Sequence, residues 1–374
     1  MTKPQLARLP GSLPDTIPFI GPEAIERRLG RPFRARLGAN ESGFGPSPRV
    51  IAAMADAAAE SWKYGDPENH DLRVAIAAHA GVAPDEVVAG EGVDALLGLA
   101  ARLYIEPGDP VVTSVGGYPT FDFHVAGFGG RQVKVPYVAD REDLQGLAEA
   151  AQSEKARLVY LANPDNPMGT WWSAADVEAF IDALPQETML ILDEAYGELA
   201  PAGTLPPIHP LRPNVLRMRT FSKAYGMAGV RVGYVIGDKG AVAPFNRIRN
   251  HFAISRMGQA GAMAALADEA WLASVVARTA AARQRIYAIV AANGFEAIPS
   301  ATNFVAIDCR QDGAYALAVL EGLADRGVFV RKPAAPGLDR CIRVSVGPDE
   351  ALDIFAAELP EAVAAAERLT AKRA

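Results

Sequence analysis

Cysteine is scarce in this sequence. Only Cys309 and Cys341 occur in 374 residues, at no spacing that suits a metal and too few for a disulfide framework. That usage fits a reducing cytoplasm, and no metal site is expected. No uninterrupted apolar run approaches the ~20 residues needed to cross a bilayer. The opening, Met1-Thr2-Lys3-Pro4-Gln5, lacks the apolar stretch of a signal peptide. Positive charge is not in excess, since 37 Lys and Arg face 44 Asp and Glu for a net charge of −7. Neither nucleic acid nor an anionic membrane is therefore expected as a partner, and any anion site must be local. Internal repeats and low-complexity linkers are also missing.

What is present is an ordinary globular balance, half apolar and 22% charged. The length exceeds one usual core, so two domains are expected. Residues 1 to about 46 are rich in Pro and Gly and read as an irregular arm. Ser47-Pro48 has cap and first-turn chemistry for a helix, and Asp71 to His79 reads as another, stopped by Gly81. Short apolar strands then alternate with helices of about ten residues. The strands are Val87–Ala89, Pro110–Ser114, Gln132–Pro136, Leu158–Leu161 and Met189–Leu192. This rhythm predicts an α/β fold with a mostly parallel sheet covered on both faces, and functional groups just past the strands' carboxyl ends. A long Ala-rich helix is expected from Gly258 towards Ala292. Three short strands near 304–306, 328–330 and 341–345 follow, interleaved with helices over 313–325 and 350–359. We expect an arm (1–46) packing with a smaller C-terminal domain (271–374), and a large cofactor-binding domain over 47–270.

The chemistry centres on Thr220-Phe221-Ser222-Lys223 with Arg231 nearby, on a Gly-rich turn leaving an apolar strand. A lysine that must form an imine has to be held rigidly and kept partly deprotonated. The hydroxyls of Thr220 and Ser222 and the guanidinium of Arg231 are groups that surround a phosphate. The pairing suggests pyridoxal 5′-phosphate, against the plainer reading of a surface lysine in a loop.

Other residues fit the same ligand. Asp193, ending a buried strand, is either a cap or a carboxylate that keeps a pyridine nitrogen protonated. Tyr196 is a core tyrosine or a donor to the ring's phenolic oxygen, shared with Asn166 of the Asn163-Pro164-Asp165-Asn166-Pro167 loop. An Asn-Pro bond in so tight a turn is a candidate for the cis form. Gly90-Glu91-Gly92-Val93-Asp94-Ala95 imitates a dinucleotide fingerprint, but no acidic residue ends the next strand. The N–H groups of Val93 and Asp94, after Gly92 at a helix N-terminus, suit a single phosphate better. His124 is an ordinary helix histidine or a flat ring stacked on the pyridine. Arg343 is a surface arginine or a clamp for a carboxylate or phosphate, with Arg331 as a second candidate.

Together these residues resemble the pyridoxal-phosphate aminotransferases of fold type I, most of all the histidinol-phosphate aminotransferase group. The likeness covers most of the chain: Leu37-Gly38-Ala39-Asn40-Glu41, Tyr64-Gly65-Asp66-Pro67, Asn163 to Gly169, Asp193-Glu194-Ala195-Tyr196, Ser222-Lys223, Ala228 to Tyr234, and Ile342-Arg343-Val344-Ser345. Departures are His124 where that group stacks a tyrosine, Glu91, Val93 and Ala95 in the phosphate turn, and Met168 where threonine is usual.

The resemblance implies a homodimer with shared active sites, in which Tyr64 reaches the partner's cofactor phosphate and Asn40 lies at the substrate. It implies ping-pong transfer of an amino group from a small-molecule donor, such as an amino acid or histidinol phosphate, to a 2-oxo acid. Lys223 would be both covalent anchor and proton carrier. Phe19 and Phe44 are further candidates for the donor pocket. Three alternatives stay open on sequence: a decarboxylase with a similar lysine, aspartate and arginine set, a nicotinamide dehydrogenase built on Gly90 to Ala95, and a non-catalytic protein that keeps the fold as a partner-binding module.

Overall fold

The computed structural model describes residues 4–15 and 20–371. Phe19 lies outside the described residues. Seven strands form the main sheet, in the order Val87–Gly90, Gly233–Ile236, Val215–Thr220, Met189–Asp193, Leu158–Ala162, Pro110–Ser114, Arg131–Val135. All run parallel except Gly233–Ile236, which is antiparallel to both neighbours. The central strands Leu158–Ala162 and Met189–Asp193 are buried along their whole length. Their side chains divide by strand periodicity. Leu158, Tyr160 and Ile191 join the apolar cluster on one face, while Val159, Leu161, Leu190 and Leu192 join that on the other. A continuous apolar run is what a strand covered on both faces requires.

The crossover helices start where the sequence offers caps. Ser173 accepts from Asp176 N–H, and the Asp176 carboxylate accepts from Ser173 N–H, opening Ala174–Ala183. Gly92, at φ 86°, turns the chain from its strand into the helix Val93–Tyr104.

A second sheet pairs Phe304–Asp308 with Cys341–Ser345 and Glu296–Ala297, all antiparallel. The helices Gly313–Asp325 and Asp349–Ala371 pack with it around Ile307, Val319, Val344 and Phe355. Ala35–Arg36 of the arm pairs in parallel with Val328–Phe329, and Leu37 joins that same cluster.

Three expectations about elements need correction. The arm is not irregular throughout: it contains helices Arg8–Ser12 and Pro22–Leu29 besides its strand. Pro22 stands at the first turn, where a missing N–H costs nothing. The Ala-rich stretch is two helices, Arg256–Leu266 and Glu269–Ala292, meeting at 79°. Asp268 breaks it by capping Trp271 N–H. The last helix passes beyond Leu359 because Pro360 sits on its exposed side. Among the described residues no single helix is long and apolar enough to cross a membrane.

Candidate active site

The carboxyl ends of Val87–Gly90, Leu158–Ala162, Met189–Asp193 and Val215–Thr220 lie on one edge of the sheet, because these strands run in one direction. Each hands the chain to a turn carrying one of the predicted groups. The Asn163–Pro164 bond in one of those turns is cis.

Asp193 is buried. Its Oδ2 accepts from the Tyr160 hydroxyl at 2.7 Å and its Oδ1 from Ala195 N–H at 2.9 Å. Burial pushes its carboxyl up to about 6, although both hydrogen bonds oppose the shift. A carboxylate so placed favours a cationic partner, as a protonated ring nitrogen would be. Glu194, the next residue, points elsewhere and is locked between Arg217 and Arg219, each Nε at 3.0 Å. That fully hydrogen-bonded buried network fixes the strand end.

Lys223 donates to the Asn40 backbone carbonyl at 3.1 Å, and its Nζ stands 5.5 Å from the centre of the Tyr196 ring. Burial first, then the charge of Arg343, hold its amine down to about 8. That produces the partly neutral amine an imine needs. Tyr196 lies edge-on to Phe304 and accepts from Asn40 Nδ2 at 3.1 Å.

The phosphate groups also converge. Thr220 Oγ1 accepts from Ser222 N–H at 3.0 Å and donates to Ser222 Oγ at 2.9 Å. Arg231 reaches Ser222 Oγ at 3.4 Å and Asp94 Oδ2 at 3.5 Å, contacts long enough to leave room for a stronger acceptor. Its backbone is left-handed at φ 59°, strain of the kind that collects at binding sites. A Cβ on Gly92 would lie 2.5 Å from Arg231 Nη2, and one on Gly233 2.9 Å from Val93 N. Glycine at both positions lets the helix N-terminus of Val93 and Asp94 close on the guanidinium. These donors fit a phosphate, and with Lys223 and Asp193 they fit a phosphorylated pyridine aldehyde.

Arg343 opposes Arg331 across an antiparallel bridge, with backbone bonds of 2.7 and 3.1 Å. Its guanidinium lies 5.1 Å from the Phe304 ring centre and donates to Asn166 Oδ1. Its buried Nε has no hydrogen-bond partner among the described residues. Arg331 donates to the Ile20 carbonyl at 2.7 Å and packs over Phe329. With Asn166 Oδ1 turned to Arg343, the amide NH2 that could donate to a phenolic oxygen faces away from that arginine.

Two further predicted residues are His124 and Tyr64. His124 packs on the flank of Val93–Tyr104, where a Cβ on Gly98 would meet its ring at 2.7 Å. Burial lowers its pKa from the ordinary imidazole value, opposed by a hydrogen bond with the Asp94 backbone. Tyr64 is exposed and lies against Phe252 rather than in this chain's own phosphate cup. The aromatic that does reach the cup is Tyr118, donating to Asp94 Oδ1 at 2.6 Å. Sequence reasoning passes over it, although a tyrosine before the helix-opening Pro119 is an available signal. Tyr160 and Asn303 are likewise missed, one mid-strand and one before a strand with no motif to mark it, and Ser345 carries no assigned role although it closes the Ile342–Ser345 motif.

Comparison with known proteins decides the family. The model of aminotransferase class I and II matches residues 35–359. The chain belongs to that family. A histidinol-phosphate aminotransferase from Mesorhizobium japonicum is 40% identical over 338 residues, covering 87% of this chain and 90% of its own. One from Roseiflexus castenholzii is 36% identical, covering 92% and 94%. The crystal structure of the histidinol-phosphate aminotransferase from Sinorhizobium meliloti, in complex with pyridoxal-5'-phosphate, matches with a TM-score of 0.94. It is 55% identical and covers 97% of this chain and 98% of its own. The aminotransferase reading of the sequence therefore stands, with its α/β fold, and nothing favours the decarboxylase or dehydrogenase alternatives.

Proposed function

We propose that this aminotransferase holds pyridoxal 5′-phosphate on Lys223 and takes an amino donor carrying a phosphate monoester, of which histidinol phosphate is the leading candidate. The acceptor is a 2-oxo acid. One observation carries the donor class: Arg331 and Arg343 face each other across one bridge, and burial, with the charge of Arg331 adding to it, lowers the hold of Arg343 on its proton. Two guanidinium groups on paired residues would be matched by a phosphate of nearly two negative charges better than by one carboxylate. The names of the similar proteins support the same class.

When bound, the cofactor supplies an electron sink for the donor's α-carbon. The chain supplies the rest. Ser222, Thr220, Arg231 and the Val93 and Asp94 N–H groups anchor the phosphate. Asp193 would hold the ring nitrogen protonated, Tyr118 would border the ring through its place at Asp94, and Asn166 and Tyr196 would serve its phenolic oxygen. The Lys223 amine would carry the proton from the donor's α-carbon. Arg343 and Arg331 hold the donor's far end, and Asn40 borders it.

We further read the chain as an arm (1–46), a large domain (47–270) and a small one (271–374), working as a cytoplasmic homodimer. Trp62 and Tyr64, each 78% exposed, with Phe252 against Tyr64, would supply an aromatic patch for a second copy. There Tyr64 would complete the partner's phosphate cup. The free buried thiols of Cys309 and Cys341 suit a reducing compartment.

A panel of amino donors with 2-oxoglutarate tests the donor class. The highest kcat/KM is expected for phosphate-monoester donors. Turnover of aspartate or phenylalanine with phosphate-bearing donors inert would overturn it.

A further inference from the structure

Asn40 is where the arm meets the site, and nearly every polar atom it has is engaged. Its N–H donates to Ser345 Oγ at 3.0 Å, and the same hydroxyl donates to its Oδ1 at 3.0 Å. Its Nδ2 donates to the Tyr196 oxygen at 3.1 Å. Its carbonyl accepts from Lys223 Nζ at 3.1 Å and from Asn303 Nδ2 at 3.0 Å. All this occurs at φ 54°, in the left-handed region, which persists only where surroundings over-determine it.

The Ser345 hydroxyl does two things at once. By accepting from the main chain it holds the unusual backbone turn. By donating to Oδ1 it decides which end of the amide faces Tyr196. The Asn40 NH2 then occupies a lone pair of the tyrosine oxygen, so that oxygen's own proton is the one directed onward. Ser345 sits two residues beyond Arg343 in Cys341–Ser345, hence on the same side of the strand. Ser345 N–H also binds the Leu37 carbonyl at 2.7 Å, tying the arm to that strand.

We infer that Ser345 is a positioning residue for the amino transfer: acting through Asn40, it aims the Tyr196 hydroxyl from the same strand that bears Arg343. The inference rests on the reading above that Lys223 and Tyr196 act on the cofactor. A hydroxyl donating to an ionised oxygen makes that oxygen a poorer base, so loosening Tyr196 raises the pH at which a neighbouring proton is lost.

The test titrates the visible absorption band of the holoenzyme against pH for Ser345→Ala, Asn40→Ala, Tyr196→Phe and the double variant Ser345→Ala/Tyr196→Phe. Ser345→Ala is expected to move the midpoint to higher pH and to lower kcat about tenfold, the effect of one hydrogen bond, with donor KM little changed. Asn40→Ala should move the midpoint the same way, and Ser345→Thr should restore it. The double variant should shift no further than Tyr196→Phe alone, because the two residues act in series. A parental midpoint in Ser345→Ala or in Asn40→Ala would overturn the inference, and so would fully additive shifts. Lys223→Ala, measured alongside, separates the two levels. Retained turnover there removes the cofactor reading itself, whereas with turnover lost the midpoints alone decide the role of Ser345.

Discussion

Lys223 shows how one side chain is tuned by its surroundings. Its amine is held down to about 8 from the ordinary 10.5, chiefly by burial and then by Arg343. In the apoprotein, acylation of Lys223 should therefore rise with an apparent pKa near 8, well below that of exposed lysines, as peptide mapping across pH would read. Between about 8 and 10.5 the unfolded chain binds more protons at this residue than the folded one. Its contribution to apoprotein stability thus rises with pH in that window, and Lys223→Met should remove the slope in denaturant titrations. Asp193 is the mirror case, pushed up from 3.8 to about 6 by burial. Its contribution is fully present below about 4 and fades as pH rises through 6. Asp193→Asn should cost roughly 10²–10³ in kcat, the scale for removing one preorganised electrostatic partner, while the protein still folds. Both residues were legible in the sequence, since each follows an apolar strand with chemistry to match. Tyr160, which bonds Asp193, was not: mid-strand tyrosines look alike until the sheet fixes which one reaches which carboxylate.

Elements bring these groups to one edge, and glycine decides how closely. A methyl group on Gly92 would press on Arg231 at 2.5 Å from a backbone already at φ 86°. Gly92→Ala should lower stability by about 1–2 kcal/mol in thermal or denaturant melts and weaken cofactor retention on gel filtration. The parallel strands were readable because burial on both faces leaves apolar runs. Gly233–Ile236 was harder, for nothing in four such residues says that the strand inserts antiparallel between two others. The 79° break after Leu266 escaped notice for a related reason. Alanine-rich sequence satisfies helix propensity on both sides, and only the Asp268 cap marks the end. His124 shows how little a motif position says of surroundings in space. The helix Pro119–Gly127 turns that ring onto Gly98, and Tyr118 stands at its start beside Asp94.

At the scale of the whole molecule, the arm, the sheet and the C-terminal strands meet at Asn40, Lys223 and Arg343. Trp62, Tyr64 and Phe252 are exposed, and the proposed dimer would cover them. Trp62→Arg should shift the protein from dimer to monomer in analytical ultracentrifugation and lower turnover with it. A dimer of unchanged affinity would place the interface elsewhere. The family was legible because its motifs fall in order along the chain. The donor was not, since Arg331 and Arg343, proposed as its clamp, are brought together only by folding. The most direct measurement is borohydride reduction of the purified protein followed by peptide mapping. The reduced pyridoxyl group should be found on Lys223, with the visible band lost in step. Its attachment to another lysine, or protein that carries none after incubation with the cofactor, would remove the basis for every role assigned to this site.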